Sequence, residues 1–396
     1  MAMPPEDMGP PKSQVGVVGW IRKNLFSSWY NTLLTFFALW LIYTIGGRAL
    51  VWAVTAARWG VITQNLRLFM IGPYPPDQAW RVWLCLVLAS GLFGLSAGVW
   101  RGTVQRLGIG LAALFAFLLL LPFGPATRVW LGANLVALIA GFGLGRRRPV
   151  KGRWVLVAWL IGFALVLVVL QGFRGSAWLP EVGTHQWGGL LLTFMLALVS
   201  IVASFPLGVL LALGRRSRQP VISLLSTVYI EVVRGVPLVT ILFMAQIMVP
   251  LFLPAEMRIA NVTRVIIGMT LFSAAYLAEN VRGGLQAIPS GQIEAAQALG
   301  FNNVLVTFLI VLPQALRLVI PPNVGLFISL FKDTTLAAIV AQLELLSIGR
   351  SVLAQPEWLG RQTEVYLFIA AIFFVFSYVM SYASYRLEVA LGVGKR

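Results

Sequence analysis

Tyr276, Glu279, Asn280 and Gly283 recur at spacings of three and four, which sets them along one face of a helix. The run around them is largely apolar, and a carboxylate inside a membrane is costly enough to need a reason. In one reading Glu279 and Asn280 form a polar site for an ammonium group, with Ala275, Ala278, Gly283 and Gly284 leaving room beside it. In the other, Glu279 pairs with Arg282 near a membrane interface. Lys332 and Asp333 offer a cation for a carboxylate, although pairing with each other at the opposite interface is the favoured reading. Pro237 should kink or break its helix and free backbone carbonyls. Glu231 and Arg234, three residues apart, are read as neutralising each other.

No catalytic residue is assigned. The sequence has neither paired carboxylates with a metal-binding partner nor a nucleophile with an adjacent base, so a membrane enzyme is set aside. His185 stands without a Cys, Asp or second His nearby and is not read as a metal ligand. The alternating glycines at 141–145 end an apolar run and do not follow a strand, which favours close helix packing over a nucleotide loop. The pattern G-x-x-x-x-G-K-[ST] is absent, so ATP, if used, is bound by another chain.

A different kind of chemistry is suggested between 282 and 317. Pro289 and Ser290 suit a helix boundary and cap, Glu294 lies near the positive end of the dipole, three alanines favour helix, and Gly300 suits a left-handed stop. Two turns are too short to stand alone, so packing must hold this helix. Ile293, Ala296 and Leu299 form a narrow apolar stripe that could lie in another protein's groove. An ordinary connector is equally compatible with these residues.

The positioning elements follow from composition. Hydrophobic residues make up 59% and charged residues 11% of the 396, far from a soluble domain. Ten apolar runs lie at about 30–45, 83–100, 107–121, 129–145, 154–170, 187–213, 226–250, 264–281, 305–331 and 365–388. The fold class is therefore an all-α polytopic membrane protein with about ten transmembrane helices. The net charge of +17 sits in short clusters between these runs, which argues for membrane anchors and against nucleic acid. With the N- and C-termini cytoplasmic, cytoplasmic segments collect 18 of the 30 basic residues. No cleaved leader is expected, and Cys85, the single thiol, is read as a buried hydrophobe.

Residues 1–28 form a polar tail and 29–175 an accessory membrane region of about five spans with an outer loop at 46–82. Residues 176–396 carry the intramembrane charges. Within the outer loop, residues 50–69 mix tryptophan and arginine with aliphatics, which suggests an interfacial helix, with a re-entrant span as the alternative.

Glu294-Ala295-Ala296, Gly300, Ile310 and Leu312-Pro313 match every fixed position of the pattern E-A-A-x3-G-x9-I-x-L-P, which resembles the signature of ABC importer membrane subunits. The segments 229–238, 275–284, 291–301 and 330–336 together resemble the polar-amino-acid permeases over about 186–390, and residues 20–34 resemble their longer branch, the general L-amino-acid permeases. The resemblance implies that the five C-terminal spans form the permease core. It further implies that the loop at 282–317 docks on a separate ATPase, the partner that binds ATP and Mg. Also implied are two ATPase subunits, a second related permease, an extracytoplasmic amino-acid-binding protein, and the bacterial inner membrane. Tyr276, Glu279, Asn280, Lys332 and Asp333 are then candidates for the substrate path. An ion-coupled secondary amino-acid transporter is the alternative that Glu279 and Glu231 suggest.

Overall fold

The computed structural model describes residues 16–147, 150–254 and 259–392. The proline-rich segment 4–11 and the charges Lys12, Arg148, Arg258, Lys395 and Arg396 lie outside the described residues. The chain divides into two compact units, 1–60 and 61–396.

In the first unit α1 (Val17–Asn24) precedes α2 (Trp29–Thr55). The Ser28 hydroxyl accepts from the Asn31 N–H and caps α2. The helix expected to end near 45 continues through a π-helical turn at Ile42–Gly46 and ends only at Thr55. In lipid the backbone can satisfy its polar groups only internally, so Gly46 and Gly47 loosen the helix without stopping it. The expected interfacial helix over 50–69 is therefore corrected. Its first residues belong to α2, and the remainder becomes α3 (Gly60–Gln64) and α4 (Leu66–Ile71). Val61, Ile62 and Phe69 are buried against Leu345, Ile348, Val352 and Val365, so this segment packs on the C-terminal helices.

The second unit continues with α5 (Trp80–Val99), α6 (Thr103–Leu120), α7 (Pro125–Arg147), α8 (Gly152–Gln171) and α9 (Gly189–Arg215). Next come α10 (Pro220–Gly235) and α11 (Leu238–Phe252), bent by 107° where a single span was expected. Pro237 stands at this break, as its missing N–H requires. The remaining helices are α12 (Asn261–Gln286), α13 (Ser290–Ala298), α14 (Leu312–Asp333), α15 (Leu345–Leu353) and α16 (Gln362–Leu391). Among the described residues nine helices are long and apolar enough to cross a membrane, and the bent pair makes a tenth if counted as one span.

Glycines bring α5 and α7 together. A Cβ on Gly94 would fall 2.0 Å from the Leu138 carbonyl oxygen, and one on Gly141 would fall 2.1 Å from that of Gly91. Without a hydrophobic force between helices in lipid, such close backbone approach supplies the attraction. α12 uses alanines in the same way. Ala274, Ala275 and Ala278 are buried, and a Cβ on Gly284 would strike Val319 at 2.4 Å.

Glu344, fully buried, caps α15 by accepting from the N–H groups of Leu346 (2.7 Å) and Ser347 (2.8 Å) and from the Ser347 hydroxyl (3.0 Å). Burial pushes its carboxyl above the ordinary range, against the pull of those donors.

Two outcomes are expected. Gly141→Leu should lower the thermal midpoint of purified protein by overpacking worth about 1–3 kcal/mol, while Gly143→Leu, which meets nothing within 4 Å, should leave it unchanged. For Glu344, a raised folded pKa contributes stability below the unfolded value of about 4.3, and that stability is lost as pH rises through the folded pKa. Glu344→Gln keeps an acceptor for the cap, so melting followed from pH 4.5 to 8 should show a flatter profile than wild type.

Candidate functional site

The site has two parts, and α12 joins them. The first is an ion-pair cluster shared by α9, α10 and α12. Arg282, one turn along α12, grips the Glu279 carboxylate with Nε at 3.1 and 3.0 Å from its two oxygens and also with Nη2. Arg215, at the end of α9, reaches Glu279 with Nη1 at 3.3 Å and Glu231 with Nη2 at 2.8 Å. Arg234 approaches the same carboxylate at 3.7 Å and lies over the Tyr276 ring, 5.6 Å from its centroid. The Glu279 side chain is only 22% exposed, so its own ion pairs are screened less than surface pairs, whereas Glu231 is 55% exposed. The ion pair with Arg282 is present. Glu231, read as the partner of Arg234, instead takes Arg215.

Around this cluster Tyr229 donates to the Leu271 carbonyl at 2.8 Å and ties α10 to α12. Asn280 donates to the buried Asn323 carboxamide at 2.9 Å and ties α12 to α14. Tyr276, Glu279 and Asn280 therefore stand together beside the break at Pro237. The neighbouring alanines and Gly284, expected to leave room, are consumed by helix packing, and among these small residues only Gly283 faces open space. Lys332 and Asp333 are not brought to this cluster. They lie past Asn323 by roughly 14 Å along α14 at the rise of a helix. No ion pair within 4.0 Å joins them among the described residues; Lys332 is exposed and Asp333 half-buried.

The second part is the short helix α13 with the segment after it. Pro289 takes the N-cap position, so the expected Ser290 cap is corrected: Ser290 is the first helical residue and its side chain caps nothing. Gly300 stops the helix at φ +84°, where a side chain would be strained. The Gly300 N–H donates to the Gln297 carbonyl (2.9 Å) and the Phe301 N–H to that of Ala296 (3.2 Å), the paired bonds of a left-handed C-terminal stop.

The apolar stripe is divided. Ile293 and Ala296 turn inward onto Val306, Ile310, Val311 and Leu312, with Ala296 only 2% exposed, whereas Leu299 is 77% exposed. A nine-residue helix cannot hold itself, so its own chain takes most of the stripe. Gln314 donates to the Gln292 side chain at 3.0 Å and to the Ile310 carbonyl at 2.9 Å, closing the unit. Pro313 directly follows the π-helical turn Val306–Val311 inside a helical run that begins at Asn303, and its missing N–H interrupts the regular ladder there. Glu294, Ala295 and Ala298 remain exposed beside Leu299.

Sequence reasoning missed Arg215 and Asn323. Arg215 closes an apolar run and reads there as an anchoring charge; the acids it meets lie 16 and 64 residues away on other helices, so spacing gives no sign of them. Asn323 follows Pro321-Pro322 inside a span, and a carboxamide at that depth is itself a signal.

Such a fold and site define a polytopic helical membrane protein with a charged node at one end of its bundle and a small surface helix beside it. Residues 204–390 match the family described as binding-protein-dependent transport system inner membrane component. The inner membrane amino-acid ABC transporter permease protein YhdY of Escherichia coli strain K12 is 37% identical over 391 residues, covering 95% of this chain and 93% of its own. The glutamate/glutamine/aspartate/asparagine transport system permease protein BztC of Rhodobacter capsulatus is 41% identical, over 96% of this chain and 94% of its own. A shorter relative, the probable glutamine ABC transporter permease protein GlnP of Bacillus subtilis, is 37% identical over 54% of this chain and 97% of its own length. The chain belongs to the family of inner membrane components of binding-protein-dependent transport systems, as a multi-pass permease subunit.

Glu279→Gln should leave three guanidinium groups without their shared counter-charge. Recovery of folded protein from membranes should fall severalfold, and the double change Glu279→Gln with Arg215→Gln should regain part of it; full independence of the two effects would count against a shared node.

Proposed function

We propose that this chain is the membrane permease subunit of an ATP-driven importer of amino acids, worked by alternating access. The observation that carries this reading is the divided surface of α13. Its anchoring residues, the partly buried Ile293 and the buried Ala296, pack into the permease, and its outward face of Glu294, Ala295, Ala298 and Leu299 is left for a partner. The partner is an ATPase subunit that binds ATP and magnesium. Two such subunits, a second related permease and an extracytoplasmic binding protein complete the complex.

Both termini and α13 face the cytoplasm, in keeping with the bias of basic residues. Closure of the ATPase pair presses α13, which passes the movement through Val306–Val311 and the end of α12 to the charged cluster. The substrate path runs beside Tyr276, Glu279 and Asn280, with Lys332 and Asp333 towards its outer end. Amino acids are the substrate class because the full-length relatives are amino-acid permeases.

Cys85, the only cysteine, is buried, so an introduced thiol stands alone. In the assembled complex, a cysteine at Ala298 should be captured by a short bifunctional maleimide as an adduct with the ATPase, and one at the buried Ala296 should not. Equal yields at both positions, or none at Ala298, would overturn the assignment of this face.

A further inference from the structure

Between α8 and α9 the chain forms a hairpin that the charged cluster and α13 do not use. The Phe173 N–H donates to the Leu179 carbonyl at 2.9 Å, that of Val182 to Gln171 at 2.7 Å, and that of Leu179 to the Ser176 hydroxyl at 3.1 Å. Arg174 and Glu181 pair across it at 2.7 Å. Below, Arg81 is fully buried, and a Cβ on Gly172 (φ +70°) would fall within 2.8 Å of its Nη1 and within 2.6 Å of the Leu179 and Pro180 carbonyl oxygens. A guanidinium and two carbonyls thus converge under the hairpin, and Val182 and Trp187 seal its base. On this hairpin Trp178 is 93% exposed, and the Arg174 side chain is 90% exposed.

An exposed tryptophan and an exposed arginine on one backbone-bonded hairpin have the composition of a binding hot spot. α9 runs from Gly189, next to the hairpin, to Arg215 in the charged cluster, a rise of about 40 Å. The hairpin therefore lies at the end of the bundle opposite α13. Transport in this family depends on a binding protein. If α13 meets the ATPase on one side, the binding protein must arrive on the other.

We propose that the hairpin of residues 172–182, through Trp178 and Arg174, is a docking point for the extracytoplasmic binding protein. This rests on the importer reading above. In the complete complex reconstituted in nanodiscs, ATPase activity is titrated with the purified binding protein that supports wild-type transport. Trp178→Ala should raise its half-saturating concentration at least tenfold, with the basal rate and complex assembly unchanged, and Trp178→Phe should fall between.

An unchanged half-saturation in Trp178→Ala would overturn the docking role. So would a spin label at Trp178→Cys that is relaxed by oxygen from the bilayer and insensitive to added binding protein, since the residue would then be a membrane anchor. Absence of any stimulation in the wild-type complex would instead sink the importer reading, and that result is seen before a variant is made.

Discussion

One carboxylate, Glu279, faces arginines from three helices at one end of the bundle, and the packing around it follows from that demand. Buried charges survive only when paired, so α9, α10 and α12 must approach closely enough for Arg215, Arg234 and Arg282 to reach a single point. Close approach in turn requires small residues on the faces that meet. Ala274, Ala275 and Ala278 on α12 and Gly208 on α9 supply them; a Cβ on Gly208 would lie 2.5 Å from Leu277. The electrostatic and steric requirements therefore select the same registry between helices. A slip of either helix by one residue would both separate the ions and drive side chains into the opposing backbone.

The same end of the bundle holds α13, and its division into an anchoring face and a free face is a compromise between two needs. In the proposed coupling role α13 must be firmly attached and must also leave a face uncovered. Ile293 and Ala296 satisfy the first need. The small exposed alanines satisfy the second, because they let another surface come close to the helix backbone. The sequence interval from Glu294 to Pro313 then reads as one structural unit whose two ends touch each other: the inward face of α13 meets Ile310 and Leu312, and Gln292 meets Gln314.

The spans and their order were legible because each is long and uniformly apolar, a signal that needs no tertiary information. Gly300 and Pro237 were legible for a related reason, since φ above zero and a missing N–H are local properties. What could not be read was who meets whom. Glu231 was assigned to Arg234 because they are neighbours on one helix, yet Arg215 on another helix lies nearer. Lys332 and Asp333 are adjacent in sequence, yet no ion pair within 4.0 Å joins them among the described residues, because consecutive residues on a helix do not face each other. Residues 50–69 showed aromatic and cationic character but not the packing partner, α15 with α16, that buries Val61 and Phe69. The stripe on α13 was seen as one surface because periodicity reports a face, not whether that face turns to the chain's own core or away from it.

Backbone breaks complete the account. Pro237 interrupts the helical ladder between α10 and α11, and Pro321 with Pro322 removes two donors from within α14. Each missing N–H leaves a carbonyl one turn earlier without its usual partner, and inside a membrane such a group is tolerated where protein or a polar path can meet it. The break at Pro237 and the proline pair inside the continuous α14 both flank the polar groups on α12. The break at Pro237 follows Arg234, which lies over Tyr276, and the proline pair precedes Asn323, which accepts from Asn280. Regular helix fills the rest of α12 and α14 around this layer. The groups able to hydrogen-bond a polar solute are thus gathered at one level of the bundle, next to the segments whose backbone can most easily change shape. In the proposed transport role, a path for a polar molecule would draw on this coincidence of hydrogen-bonding side chains and local compliance, which a bundle of uninterrupted apolar helices would lack.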